Sequence, residues 1–259
     1  MRGLAQVLDG ARLTRVEPRR ANLRWPIPVD LRQRLTGARV VALSRRAKYG
    51  LIDTDRGDTL IFHLGMSGRW RVNKPDAKHD HLVIRTDRGD TLALNDPRRF
   101  GSVDLLATAA LPEFPPFTRL GPEPLGPDLT TAYLTAALAN RKGPLKALLL
   151  NQEIVAGLGN IYVCEALNMA RIAPDRAGAT LRPAELKRLI TAIQGVLTAA
   201  IAAGGSTLRD YASPSGELGY FFKQWRVYGR TGEHCPCGGT VARRAEGGRS
   251  TFYCPACQH

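Results

Sequence analysis

Nothing in the chain is apolar for long enough to cross a bilayer. The longest candidate, around residues 145–158, is broken by Asn151, Gln152 and Glu153, well short of the roughly 18 apolar residues a spanning helix needs. No cleavable signal sequence precedes the first pattern, and there is no internal repeat or low-complexity tract, so a cytoplasmic protein with ordinary globular domains is expected. Acidic residues are in deficit: 23 Asp and Glu face 37 Lys and Arg over 259 residues, a formal charge of +14. Such an excess points to a polyanionic partner, with nucleic acid the leading candidate. Cysteine is scarce outside one place. Cys164 stands alone in an apolar segment while the other four crowd into the last stretch of chain. A disulfide framework would spread its cysteines through a small domain, so this clustering reads as metal ligation.

The basic residues are scattered, as in Arg45-Arg46-Ala47-Lys48, Arg98-Arg99, Arg141-Lys142 and Arg243-Arg244. That distribution suits a folded surface better than a disordered arm. Leu4, Val7 and Leu8 fall on one helical face that Gly10 ends. Short β-type runs follow at 40–43, 50–52, 59–62, 81–84 and 91–94, and Asp-Arg-Gly-Asp turns at 55–58 and 87–90 join two pairs of them as hairpins. Prolines then cluster without any period through 111–124. Helical spacing takes over at 130–140, 144–151, 160–169 and 183–203. The expected class is α+β in two domains. An N-terminal β-sandwich with a flanking helix occupies 1–115, a linker 116–129, a helical domain 130–222 and a metal-held β-hairpin 223–259.

Cys254-Pro-Ala-Cys257 places two thiolates two residues apart, the spacing with which both face one tetrahedral ion. Its partner is less regular: His234-Cys235-Pro236-Cys237 spaces the cysteines C-x-C, while His234 and Cys237 keep the two-residue gap. Cys235 and Cys237 are expected to complete a set of four sulfurs around one structural Zn²⁺, with His234 as the alternative ligand. Between the pairs, two short strands flank Gly247-Gly248, and the 37 residues from Lys223 to His259 carry six Lys or Arg against two Glu. A basic hairpin of this kind suits a nucleic-acid groove. Gly157-Leu158-Gly159-Asn160 joins two helices, either as a phosphate site at a helix N-terminus or as a tight packing turn. Loops after strands carry His63-Leu64-Gly65-Met66-Ser67-Gly68 and Asp96-Pro97-Arg98-Arg99-Phe100-Gly101. Bulky and basic residues there serve either as core or as a wedge that fills a base stack.

These elements in order, with Arg45-Arg46-Ala47-Lys48-Tyr49, Lys78-His79-Asp80-His81, Leu120-Gly121-Pro122-Glu123-Pro124-Leu125 and Arg249-Ser250-Thr251-Phe252-Tyr253-Cys254, resemble the formamidopyrimidine-DNA glycosylase family over nearly the whole chain. The resemblance implies a base-excision glycosylase and AP lyase that removes oxidised purines (8-oxoguanine, formamidopyrimidines) from double-stranded DNA by base flipping and β,δ-elimination, acting as a monomer. Lys48 would contact the lesion-strand phosphate and help elimination, with His63, His79 and Asn160 also at the backbone. Met66, Arg98 and Phe100 would fill the void left by the flipped base, with Arg98 facing the orphaned cytosine. Arg249 would bind phosphate and assist the second elimination, and Lys142 and Lys146 would lie on the DNA or lesion side. Residues 151–164 would form the helix–two-turn–helix, and 206–219 a lesion-capping loop.

One departure stands against these matches. Members of the family open, after the initiator methionine, with Pro-Glu-Leu-Pro-Glu-Val-Glu, whose proline amine attacks the sugar C1′ while the adjacent glutamate donates a proton. Arg2-Gly3-Leu4 matches the family just past that stretch. The expectation is a native start upstream of Met1, with residues 1–259 by themselves inactive or impaired. The alternative is a non-catalytic damaged-DNA-binding protein of the same fold.

Overall fold

Alternating apolar residues and tight turns organise the first of two units in the computed structural model, which describes residues 1–74, 76–205 and 220–259. This unit, Met1–Thr118, opens with helix α1 (Arg2–Leu8), whose Leu4 and Leu8 are buried one turn apart. Strand β1 (Leu13–Pro18) and helix α2 (Leu31–Leu35) follow. Then come β2 (Val40–Arg46), β3 (Tyr49–Thr54), β4 (Asp58–His63), β5 (Arg69–Val72), β6 (Asp80–Thr86), β7 (Thr91–Asn95) and β8 (Ser102–Ala107). They make two four-stranded antiparallel sheets, ordered β1-β6-β7-β5 and β2-β3-β4-β8, which form a β-sandwich. Both Asp-Arg-Gly-Asp turns close hairpins, with Asp53 paired to Thr59 and Arg85 to Thr91.

Strand β4 reads as a continuous apolar run because both of its faces are covered. Leu60 and Phe62 join Leu82, Ile84, Leu92 and Leu94 in the core between the sheets. Leu51 and Ile61 face the other way and pack against Phe114, with Tyr49 and Phe117 alongside. The proline-rich stretch is therefore not a free linker. Thr108–Glu113 is a 3-10 helix, Pro115–Thr118 forms α3, and the rings of Phe114 and Phe117 meet edge to face at 4.9 Å. Past Thr118 the chain already belongs to the second unit: Gly121 N–H donates to Gln152 O (2.9 Å) and Ala156 N–H to Pro122 O (3.0 Å). These pieces are too short to show a period, although proline at the start of a helix is no obstacle to it.

The second unit, Arg119–Gly205 with Tyr220–His259, contains α4 (Thr131–Leu138), α5 (Leu145–Leu150), α6 (Asn160–Ala170), α7 (Pro183–Ala202) and the hairpin β9 (Ala242–Glu246) and β10 (Arg249–Tyr253). Helices and hairpin belong to one compact unit. Thr130 Oγ1 caps α4 by accepting from Tyr133 N–H (3.1 Å). Pro183 opens α7, and Glu185 accepts the Arg182 N–H at 2.9 Å. Leu134, Leu149, Leu158, Val163, Leu167, Leu189 and Ile193 are the centre of the helical core. Between α5 and α6 the chain makes its two turns around Gln152. That side-chain amide donates to Leu150 O (2.9 Å) and Leu158 O (3.1 Å) and accepts from Gly157 N–H (2.9 Å). Cys164 on α6 packs with Val227, Val241 and Phe252, which seats the hairpin on the helix. No helix among the described residues is long and apolar enough to cross a membrane. The expected capping loop at 206–219 lies outside the described residues.

Candidate nucleic-acid interface and metal centre

In the first unit, two loops are fastened to each other by one carboxylate. Asp96 is fully buried; its Oδ1 accepts from Ser67 Oγ (2.6 Å) and its Oδ2 from Gly101 N–H (2.8 Å). Ser67 Oγ in turn accepts from Arg98 N–H at 3.3 Å. Close contact between the loops also needs Gly65, whose φ is +61° and where a Cβ would stand 2.6 Å from the Phe100 carbonyl carbon. On this rigid base Met66 is 70% exposed and Phe100 47%. The Arg98 guanidinium lies over the Phe100 ring, 4.6 Å from its centroid. Neither apolar side chain is therefore core.

His63, at the end of β4, has its ring 4.9 Å from that of Tyr49, and its Nδ1 accepts from Gly65 N–H at 3.0 Å. An imidazole that accepts at Nδ1 carries its proton on Nε2, so the ring is a neutral donor. Burial, and then the positive charges of Lys48 and Arg24, hold its pKa below the ordinary value. Lys48 is exposed at the turn between β2 and β3, after Ala47 in a left-handed conformation (φ 50°). His79 is half-buried, and with Arg19, Arg20, Lys78 and Arg99 it borders a recess of about 500 Å³. This unit thus exposes two apolar side chains among cations and one neutral donor.

In the second unit one basic side chain is buried. Lys146 is 1% exposed; its Nζ donates to Thr251 Oγ1 (2.7 Å) and Ser250 O (3.3 Å), and Thr251 Oγ1 donates to Glu246 Oε2 (3.1 Å). The ammonium is bonded inside the unit, where burial pushes its pKa down. Asn160 also turns inward: its Nδ2 donates to Ser250 O at 2.9 Å, while its buried Oδ1 has no partner among the described residues. Together Lys146 and Asn160 fix the backbone beside Arg249, which is exposed at the start of β10. Lys142 is exposed. The first turn of α6 offers N–H groups without intrahelical partners, the usual seat for a phosphate.

Four sulfurs converge at the base of the hairpin. The Sγ atoms of Cys235, Cys237, Cys254 and Cys257 lie within 4.8 Å of one another, with 3.9 Å between Cys235 and Cys257 and 3.5 Å between Cys237 and Cys254. Tetrahedral zinc with bonds of about 2.3 Å would separate its sulfurs by about 3.8 Å, so the donor set fits such an ion. His234 lies outside this group; it is exposed, and its backbone pairs with Thr240. The shortened C-x-C knuckle closes through a tight turn, with Gly238 N–H donating to Cys235 O (2.9 Å) and Cys235 N–H to Gly239 O (2.8 Å). A Cβ on Gly239 would fall 2.9 Å from Cys254 Sγ and 2.6 Å from Ala256 Cβ. Two glycines therefore make up for the missing residue.

Three buried polar residues that join this centre to its surroundings escape the sequence reading. Asn168 on α6 directs Nδ2 toward Cys235 Sγ (3.6 Å) and Cys257 Sγ (3.9 Å) and donates to Gln258 Oε1 (3.1 Å). Gln258 also accepts from Cys254 N–H (2.8 Å) and donates to Ile172 O (2.9 Å). Glu165 accepts from the N–H groups of Arg226, Val227 and Tyr228 at 2.8, 3.0 and 2.8 Å. The available signal was Glu165 and Asn168, three residues apart within an otherwise apolar stretch of helix, because such groups are buried only when partnered.

Comparison with known proteins agrees with this arrangement. Residues 1–103 match the model of the formamidopyrimidine-DNA glycosylase N-terminal domain, and residues 120–212 match that of the formamidopyrimidine-DNA glycosylase H2TH domain. A formamidopyrimidine-DNA glycosylase of Rhizorhabdus wittichii is 64% identical, covering 100% of this chain and 96% of the relative. The wild-type Lactococcus lactis Fpg (MutM), solved in complex with DNA containing N7-benzyl-Fapy-dG, superposes with a TM-score of 0.91 at 32% identity, covering 100% of this chain and 96% of that one. The MutM (Fpg) protein of Thermus thermophilus gives a TM-score of 0.88 at 38% identity, covering 99% and 95%.

Proposed function

The chain belongs to the formamidopyrimidine-DNA glycosylase family, and from that premise we propose that it excises oxidised purines, 8-oxoguanine and formamidopyrimidines, from double-stranded DNA and then opens the sugar as an AP lyase by β,δ-elimination. It acts as a monomer in the bacterial cytoplasm. The observation that carries this reading is the exposed pair Met66 and Phe100, with Arg98 stacked beside them, on loops pinned by Asp96. A flipped nucleotide leaves a gap in the stack that apolar side chains can fill. The Arg98 fork supplies donors to the unpaired base. Lys48, His79, the His63 Nε2–H, the first turn of α6 and Arg249 take backbone phosphates.

We assign zinc to the four sulfurs. With every position filled by thiolate, its role is structural: it holds the hairpin that carries Arg249. Lys48 and Arg249 assist the two eliminations. The attacking amine and proton donor are the proline and glutamate of the family's opening stretch, which residues 1–259 do not contain. An amine must come within about 3–3.5 Å of C1′ to react. A chain that carries the family's opening stretch ahead of residues 1–259 is expected to cut lesion duplex.

Borohydride trapping on a duplex with one 8-oxoguanine opposite cytosine tests this with residues 1–259 and with the chain extended by that stretch. A covalent adduct with the extended chain is expected. An adduct with residues 1–259 would overturn the assignment of the nucleophile. Equal affinity of either polypeptide for lesion and undamaged duplex would overturn lesion recognition.

A further inference from the structure

Beside the cysteine centre, on the side of the second unit where Cys237 and Cys257 reach the surface, lies a recess of about 660 Å³ bordered by Arg171, Arg176, Arg182 and Arg188, with Glu185 the one acidic side chain among the described residues that line it. The four cations are not equivalent. Arg176 uses both Nη atoms on the two Glu185 oxygens (2.7 and 2.9 Å), and Arg182 Nε reaches Glu185 Oε2 at 3.2 Å. That single carboxylate is thereby shared by two guanidinium groups, which keep it ionised. Arg171 and Arg188 are exposed and have no acidic partner among the described residues.

Arg171 is also oddly placed for an ordinary surface residue. It caps the C-terminus of α6 in the left-handed conformation (φ 57°, ψ 40°), which glycine adopts at least cost. Putting the bulkiest cation there aims a positive fork at the recess. The positive end of α7, a 20-residue helix, opens at Arg182 on the same side. Among the described residues, no Phe, Tyr or Trp lines the recess.

We propose that this recess is a phosphate-binding site, in which Arg171 and Arg188 grip a tetrahedral oxyanion with paired N–H donors while Arg176 and Arg182 stay on Glu185. The guanidinium fork matches phosphate oxygens two at a time. The phosphate comes either from free solution or from the backbone of a duplex that runs past the lesion site.

The test compares the zinc-loaded full chain with the double variant Arg171→Ala/Arg188→Ala, which leaves the Glu185 pairs in place. In the first arm, inorganic phosphate is titrated against the arginine Nε–H NMR signals. Saturable shifts are expected for the wild type and at least a tenfold weaker response for the variant. In the second arm, affinity for short and long lesion duplexes is measured against salt. A backbone source predicts a salt slope lower by about 1–2 for the variant on the long duplex only. A free-anion source predicts a change in the first arm alone. Zinc content and circular dichroism verify the fold, and Arg188→Gln alone serves if the double variant is unstable. The same response from wild type and variant in both arms overturns the proposal.

Discussion

Protonating His63 at Nδ1 would cost it the Gly65 hydrogen bond, because that nitrogen accepts there. Its folded pKa lies below the ordinary value of 6.5. Between the two values the unfolded chain binds a proton that the folded chain refuses. This contribution to stability is intact above the ordinary pKa and is lost as pH falls toward the folded one. Thermal melts at about pH 7.5 and about pH 5.5 should therefore show an acid loss in the wild type that is smaller in His63→Gln. An equal loss in both would remove His63 from the account. At the wedge the expectation runs the other way, toward function without stability. Met66→Ala and Phe100→Ala remove exposed side chains, so each should leave folding stability within about 0.5 kcal/mol. Each should weaken the preference for lesion over undamaged duplex by about tenfold or more. A melting temperature several degrees lower in Phe100→Ala would return that ring to the core.

At the scale of elements, the hairpin β9–β10 depends on the ion more than on its own pairing, since a two-stranded hairpin alone is marginal. Chelation should lower the melting temperature of the second unit and reduce affinity for lesion duplex, and added zinc should restore both. Gly239→Val should bind less than one zinc per chain by atomic absorption, because its Cβ has no room between Cys254 and Ala256. Normal zinc content in that variant would show that the knuckle can open to admit a side chain.

The strands bounded by Asp-Arg-Gly-Asp turns were legible because turn chemistry and alternation agree there. Strand β1 was not. Its register shifts between Leu13 and Arg15, which breaks the period-2 pattern that would announce it. Strand β5 carries arginines at alternate positions over only four residues, too few to separate from a loop. The cysteine cluster could be read because four of the five cysteines crowd into one short stretch. The inward roles of Lys146 and Asn160 could not, since a basic or amide side chain near a glycine turn looks the same whether it faces solvent or a neighbouring strand.

Taken as a whole molecule, a chain of formal charge +14 should bind duplex with a steep dependence on salt. Four to six cationic contacts correspond to a slope of roughly −4 to −5 in log K against log salt. Lys48→Gln and Lys142→Gln should each reduce its magnitude by about 1. Lys146→Met should leave the slope unchanged while lowering stability, because its charge is spent on Ser250 and Thr251. A change of slope in Lys146→Met would place that ammonium at the nucleic acid after all.

Asp96 carries a consequence for how the wedge can change. A carboxylate has two oxygens, and here each is taken by a different loop: Ser67 on one side, Gly101 on the other. Lengthening either loop severs one of those bonds and strands a buried oxygen. The segments 64–68 and 96–101 therefore behave as a single cassette, transferable together onto another sandwich but not one at a time.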